Sequence, residues 1–429
     1  MNDNHQHVKW FRDSTPYINA HRGKTFVLYI SGESIQHENF DNIVADIVLL
    51  NSLGVRLVLV HGAKPQIDEH LTQNGAKSET VAGVRITTPT VLPCVQQVVG
   101  KIRIDLEAAL SKGIVNAPQT GTEIVVNSGN YIKAKPLGIN NGVDFHNTGS
   151  VRKVNAEAIH KQLDQGAIVV VSPTGFSPSG EIFNINSAEV AGAVASAVLA
   201  DKFILFTPDK GVYDENNKLL NELQVNDIDE AKLAPYQLLR FARQACLKGV
   251  ARCHMISFVQ DGALLEELFT RDGAGTQITR FSYEQIRMAS ADDVGGIIEL
   301  IQPLEAEGVL VKRSRELIES EISQFTVIER DGMIVSCAAL YPYGEQGELA
   351  CLATHVEYRD NSRGETILRH IEQNARELKL TGIFVLTTNT AHWFKERGFV
   401  EASPDELPES RQSLYNYQRN SKLFVKSLI

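Results

Sequence analysis

Cysteine is scarce and does not pair. The chain has five, an odd number, with no Cys-x-x-Cys and no Cys/His spacing of the kind that holds zinc. A disulfide-stapled fold and a zinc module are therefore excluded, and no metal is expected. Cys246, Cys253, Cys337 and Cys351 lie in apolar surroundings and read as buried, reduced thiols. Positive charge is also short: 42 Lys and Arg against 52 Asp and Glu leave a net charge of −10. A nucleic-acid glove or a polybasic membrane tether needs the opposite balance, so neither partner is expected, and cationic contacts to an anionic substrate must be few and local. Long apolar runs are missing too. The longest stretch of small and apolar residues, Val190 to Ala200, is far below the roughly 18 needed to span a bilayer. The first 14 residues are polar and carry no apolar segment of the secretory type. The expected location is the cytoplasm. What is present is an ordinary globular composition, 43% hydrophobic and 22% charged, in 429 residues, enough for two or three domains.

From Lys24 to about Asp261, β-branched runs alternate with helical periodicity. Strands are expected at Phe26–Ile30, Val55–Val60, Glu123–Val126, Ala167–Val171 and Phe203–Phe206, with a helix at Ala188–Ala200. That rhythm predicts an α/β domain with a mostly parallel central sheet covered by helices, over residues 1–280. A second domain, 285–429, opens with a strand at Ile286–Met288 and a helix that Asp292-Asp293 starts and that runs through Leu300. A helix capped by Ser314 follows, then a hairpin of Phe325–Glu329 and Ile334–Leu340 around Asp331-Gly332. Next come a strand at Leu349–Val356, a helix at Gly364–Leu378 with Leu368, Ile371, Ala375 and Leu378 on one face, a strand at Ile383–Thr387 and a short helix at His392–Arg397.

The strand ending at Val356 feeds Arg359-Asp360-Asn361-Ser362-Arg363-Gly364-Glu365 and then a helix. A turn into a helix start presents unpaired N–H groups at the positive end of the dipole, a ready seat for a pyrophosphate. Glu348, at the start of the strand leading there, is a candidate base for an ammonium proton. With the hairpin before it and Arg397-Gly398-Phe399 after it, this order resembles the GCN5-related N-acetyltransferase family, an α+β fold whose coenzyme A signature is R/Q-x-x-G-x-G/A. Ser362 stands where the first Gly is usual. The resemblance implies acetyl-CoA as cosubstrate. It implies backbone contacts from Leu352, Ala353 and Thr354 to the pantetheine arm and thioester, and phosphate contacts from Arg359, Ser362, Arg363, Gly364 and Glu365. Members often place a Tyr where this chain has Phe394, so Thr387 or a water beside it is expected to protonate the leaving thiolate.

Lys312, Arg313 and Arg315 at one end of the second domain, and Arg419 and Lys422 at the other, suit an acceptor with two carboxylates. Together with Leu386-Thr387-Thr388, His392-Trp393-Phe394 and Leu414 to Arg419, the whole chain resembles the long, two-domain N-acetylglutamate synthases of bacteria. That resemblance implies L-glutamate as acceptor in the first step of arginine biosynthesis, with Arg313 and Arg419 on its carboxylates and Cys351 and Ser421 lining the pocket.

Residues 17–280 resemble N-acetylglutamate kinase, through Phe26–Gly32, Val60-His61-Gly62, Gly83 to Thr87 and Asn184-Ile185-Asn186. Tyr29 takes the place of the phosphate-binding Lys, Ser31 and Ala63 replace glycines, and Ala188 replaces the Asp that organises the lysines. Phosphoryl transfer is almost entirely positioning and charge neutralisation, so no kinase activity is expected. The run from His254 to Thr270, then Gly273 to Thr276, with Tyr17 ahead of the first strand, resembles the arginine site of feedback-inhibited acetylglutamate kinases. It implies L-arginine as inhibitor, bound by Tyr17, His254, Glu267 and Gly273, and an N-terminal helix that assembles a homohexamer. Two other readings stay open at this point: a working acetylglutamate kinase with an appended domain, and a non-catalytic arginine sensor.

Overall fold

The computed structural model describes residues 8, 10–12, 14–112, 124–228, 236–270, 272–280, 284–330, 332–359, 363–412 and 421–428. The chain divides into two compact units, Met1–Phe281 and Ser282–Ile429.

The first unit begins with helix α1 (Thr15–His21) and is built on an eight-stranded sheet. Its strands are β1 (Thr25–Ile30), β2 (Arg56–His61), β3 (Val126–Ser128), β4 (Ile168–Val171), β5 (Lys202–Thr207), β6 (Glu222–Gln224), β7 (Arg252–Ser257) and β8 (Thr276–Thr279), in the spatial order β6-β8-β7-β5-β1-β2-β4-β3. Every pairing is parallel except that of β7 with β8. All of β1 is buried because each face has its own cover. Val27 and Tyr29 pack with helices α2 (Ser187–Ala197) and α3 (Leu239–Leu247). Phe26, Leu28 and Ile30 pack on the other side with helices Phe40–Ser52 and Leu92–Ser111 and with α4 (Ala263–Phe269). A small closed barrel of strands 132–136, 148–154, 174–176 and 182–185 completes the unit. The strand expected at Glu123–Val126 falls at Val126–Ser128, Glu123 lying outside the described residues.

Three histidines of this unit are buried and neutral. His21, His61 and His254 are each lowered to about 4, chiefly by desolvation. The unfolded chain takes up those protons near pH 6.5, whereas the native state refuses them until about 4. Between those limits the unfolded state binds more protons, so stability must fall as pH falls, by up to about 1.4 kcal/mol per histidine per pH unit. Urea midpoints followed by circular dichroism at pH 7, 5.5 and 4.5 should decline steadily; a flat series would contradict the buried neutral state.

The second unit holds β9 (Glu284–Met288), helices α5 (Val294–Ala306) and α6 (Arg315–Ser320), β10 (Phe325–Arg330), β11 (Met333–Tyr343), β12 (Gln346–Thr354), helix α7 (Arg363–Glu377), β13 (Gly382–Thr387), α8 (Ala391–Lys395), β14 (Val400–Ala402), α9 (Glu409–Gln412) and β15 (Lys422–Ser427). Its seven strands run β9-β10-β11-β12-β13-β15-β14. Ser314 caps α6, its hydroxyl accepting from Leu317 N. The Asp292-Asp293 start is a 3-10 turn in which Asp293 forms a capping box with Ser290 and a two-bond pair with Arg287 at 2.7 and 2.8 Å. The buried face of α7 is Ile367, Leu368, Ile371 and Ala375; Leu378, expected on it, lies past the helix end and is exposed.

Candidate acetyl-transfer site

A wedge opens in the middle of the second sheet. Strands β12 and β13 are parallel neighbours for three rungs only, Gln346 with Gly382, Gly347 with Ile383 and Glu348 with Phe384. Beyond that point β13 stays paired to β15 as far as Thr387 with Lys422, while β12 turns away. The cause is a bulge on its other edge. Ala339 pairs with Ala350 and Cys337 with Ala353, so Cys351 and Leu352 together face Ala338, and Cys351 takes a φ of +51°. Leu352, Ala353 and Thr354 thus lie on the diverging edge, where their backbone has no partner on β13 and an extended amide chain can pair with it.

Glu348 stands at the last paired rung and Thr387 at the far end of β13, one on each wall. Glu348 is 8% exposed and is not the solvated strand-end carboxylate that its sequence setting allows. Both its oxygens accept from Arg411, Nε at 2.5 Å and Nη2 at 3.0 Å. Arg411 is raised above its usual range by those bonds. Thr387 is 7% exposed; its hydroxyl accepts from Thr390 N at 3.1 Å and pairs with the Thr390 hydroxyl at 2.9 Å. Phe394 is core, edge-on to Trp393 and Phe399 at 5.0 and 5.3 Å.

Arg359 sends Nε back to Thr354 O at 3.3 Å, from the exposed surface at the strand end. Ser362 lies outside the described residues. The Arg363 guanidinium is buried, bound to Glu284 (Nε to Oε1 2.7 Å) and to Tyr358 O, and stacked 4.6 Å over the Tyr358 ring. That side chain fastens α7 to β9, and only its backbone at the helix start is left to face a phosphate. Glu365 likewise turns its carboxylate to Arg369 and, at 3.7 Å, Arg397, the Arg369 bond lowering its pKa. Gly364 sits under Trp393, where an added Cβ would lie 3.2 Å from the indole.

On the acceptor side Arg313 is half-buried, with its backbone N on Glu305 at 2.9 Å and Nη1 on Val311 O at 3.3 Å. Its charge acts on Cys351, whose thiol burial pushes up to about 11 against the pull of that guanidinium, and on Tyr341, whose hydroxyl donates to Glu321 at 2.7 Å. Ser421 is buried one residue before the Lys422–Thr387 rung; Arg419 lies outside the described residues.

In the first unit His254 Nδ1 donates to Glu267 Oε1 at 2.5 Å, and Lys202 Nζ lies 3.2 Å from His254 Nε2. Glu267 Oε2 accepts from Ala274 N at 2.7 Å and Gly275 N at 2.9 Å. Burial pushes this carboxyl up, and those hydrogen bonds more than offset it, leaving it lowered. Gly273, at φ +66°, brings the backbone so close that an added Cβ would lie 2.5 Å from Glu267 Oε2. Tyr17 is half-buried on α1, which His21 ties to α4 through Leu268 O at 2.8 Å. Three of the roughly four lone-pair sites of Glu267 are filled, leaving one for a guanidinium donor.

The kinase-type loops have closed on themselves. Tyr29 is 6% exposed, its hydroxyl 3.1 Å from Ser187 Oγ, and burial pushes it up to about 12. Gln66 Nε2 donates to Gly32 O at 2.7 Å, and a Cβ on Gly62 would lie 2.6 Å from Gly32 N. His61 binds Ser172 Oγ at 2.9 Å. With no cation at position 29 and Ala188 buried beside it, incubation with ATP and N-acetylglutamate should yield no acylphosphate. Trapping one with hydroxylamine at an appreciable rate would contradict this.

Sequence reasoning missed Arg411, Tyr341, Glu321 and Lys202. The last stands at the head of a buried strand, and the first sits in a polar stretch with no local signal.

Comparison with known proteins matches residues 24–257 to the amino acid kinase family and residues 321–401 to the acetyltransferase (GNAT) domain. The chain is 51% identical over 430 residues to an amino-acid acetyltransferase of Pseudomonas fluorescens, covering 99% of this chain and 100% of that one. A Pseudomonas putida amino-acid acetyltransferase is 50% identical, covering 98% and 99%. Among solved structures, the Neisseria gonorrhoeae N-acetylglutamate synthase complexed with coenzyme A and L-arginine matches with a TM-score of 0.89 at 37% identity, covering 98% of this chain and 99% of that one. The same synthase complexed with coenzyme A and N-acetyl-glutamate gives 0.62 at 38% identity, with the same coverage.

Proposed function

Because this chain belongs to the amino-acid acetyltransferases of the N-acetylglutamate synthase type, an acyltransferase family that uses acetyl-CoA as cosubstrate, we propose that its acceptor is L-glutamate and its product N-acetyl-L-glutamate. The observation that carries the reading is the wedge, with a carboxylate on one wall, a hydroxyl on the other and, between them, strand backbone that has no partner on β13.

Glu348 takes a proton from the glutamate ammonium, and the freed amine attacks the thioester carbonyl. Backbone N–H groups of the splayed edge between Leu352 and Thr354 stabilise the oxyanion, since prepositioned dipoles need no reorganisation as charge develops. The C–S bond then breaks, and the thiolate takes a proton from the Thr387 hydroxyl or a water held by it. Arg313 and Arg419 bind the two carboxylates, with Cys351 and Ser421 beside them; the gonococcal complex with N-acetyl-glutamate supports this choice of acceptor. Arg359 and the backbone from 362 to 365 seat the phosphates.

The first unit acts as the sensor. L-arginine binds at Tyr17, His254, Glu267 and Gly273 and lowers turnover, which requires unequal affinity for two states of the enzyme. The gonococcal complex with L-arginine supports this assignment. The enzyme opens arginine biosynthesis in the cytoplasm as a homohexamer; among the described residues no helix is long and apolar enough to cross a membrane. The domain limits are 1–280 and 285–429.

Thiol release from acetyl-CoA across a panel of amino acids, with and without arginine and with ATP monitored, tests the proposal. Glutamate should stand out, arginine should slow it, and ATP should persist; equal rates across the panel would refute the acceptor. A Thr387→Val enzyme should lose about 10²-fold in kcat, the low end for a general acid because a thiolate leaves readily. Full turnover with normal acetyl-CoA binding would remove Thr387 from the mechanism.

A further inference from the structure

The ion pair that makes Glu348 tolerable in the empty site also obstructs its use. A carboxylate buried this far needs a partner, and Arg411 supplies one side-on, with both oxygens engaged. Held in that way, Glu348 has no cation-free oxygen to offer an ammonium. Its other charged or titratable neighbours are Tyr343, Cys351 and, through Tyr341, Glu321. Arg411 stands on the four-residue helix α9, which is fastened without the Arg411 side chain: Gln412 Nε2 donates to Asp405 O at 2.9 Å and Leu407 O at 2.7 Å, and Arg411 N donates to Pro408 O at 2.7 Å. The guanidinium can therefore change partner without the helix leaving its seat.

Resting on the assignment of Glu348 as base, we propose that the α-carboxylate of the incoming glutamate, while held by one of the two arginines already assigned to the substrate, also replaces Glu348 on Arg411, so that the substrate's own charge uncovers the base. The α-carboxylate is one carbon from the ammonium that Glu348 must deprotonate, so binding the amine beside Glu348 brings that carboxylate to Arg411. One guanidinium–carboxylate pair is exchanged for another, and the substrate ammonium replaces the guanidinium beside Glu348, so no charge is left uncompensated. Arg411 is a positioning residue. It makes the α-carboxylate a requirement for turnover as well as for binding.

The experiment compares saturated kcat for glutamate, its α-amide isoglutamine and its γ-amide glutamine, in the wild-type enzyme and in Arg411→Ala and Arg411→Lys. In the wild type the α-amide should lose at least about thirtyfold in kcat, the cost of removing one partner of a buried charge pair, while the γ-amide should act mainly through KM. In Arg411→Ala the glutamate to isoglutamine kcat ratio should fall towards one, guanidinium salts should restore part of the glutamate rate, and Arg411→Lys should restore part of the ratio. An unchanged ratio in Arg411→Ala overturns the proposal. So does a wild type that turns over isoglutamine at the glutamate kcat, a result that needs no variant to fold. Glu348→Gln, run alongside, separates the two readings: if it keeps its kcat, the base assignment fails, and if only the Arg411 ratio stays fixed, the exchange alone fails.

Discussion

Glu348→Gln should lower kcat by about 10²- to 10⁴-fold, the usual contribution of a positioned base. Glutamine keeps the size of the side chain and can still accept from Arg411, so the wedge and the binding of acetyl-CoA should survive. What is lost is a group that accepts the ammonium proton. The residual rate should then climb as pH rises and more substrate arrives already deprotonated, and climb more steeply than in the wild type. Initial rates of thiol release from pH 6 to 10, with acetyl-CoA affinity measured by titration, check this. A variant within a few-fold of wild type at neutral pH would mean that the proton leaves by another route.

Glu267→Gln should abolish most of the arginine response. The carboxylate is fixed from three directions by His254, Ala274 N and Gly275 N, and the proposal gives it the arginine guanidinium. Removing one member of a buried charged pair costs enough to raise the half-inhibiting arginine concentration by at least about thirtyfold. Turnover without arginine should remain measurable. Thermal melting gives an independent readout: arginine should raise the wild-type melting temperature by mass action and leave the variant's where it was. Inhibition at the wild-type concentration would place the arginine site elsewhere.

Many elements of both units were legible in the sequence because each of those carries its own local signal. The apolar runs of β1, β4 and β5 are covered on both faces, and Ser314 begins its helix by the ordinary cap. The expected loss of phosphoryl chemistry could be read from Tyr29 and Ala188 alone, and the structure adds how the space around them is filled. The site was less legible because its form depends on distant pairing. The bulge at Cys351 arises from the register with β11, and an apolar run that alternates normally gives no hint of it. Arg363 belongs to the cofactor signature, yet its side chain answers to Glu284, 79 residues earlier. Arg411 meets Glu348 across 63 residues. Lys202 meets His254 across 52, and a neutral imidazole between a lysine and a carboxylate is set by burial that no sequence pattern displays.

The most direct test of the central claim is a single-turnover experiment with acetyl-CoA labelled with carbon-13 in the acetyl group, followed by mass spectrometry and NMR of the products. The label should move quantitatively to the α-nitrogen of L-glutamate, with one free coenzyme A thiol for each N-acetylglutamate formed and none formed when glutamate is omitted. If the thioester stays intact in the presence of glutamate, or the label is found on another acceptor, the assignment of the wedge as a glutamate acetyl-transfer site is wrong.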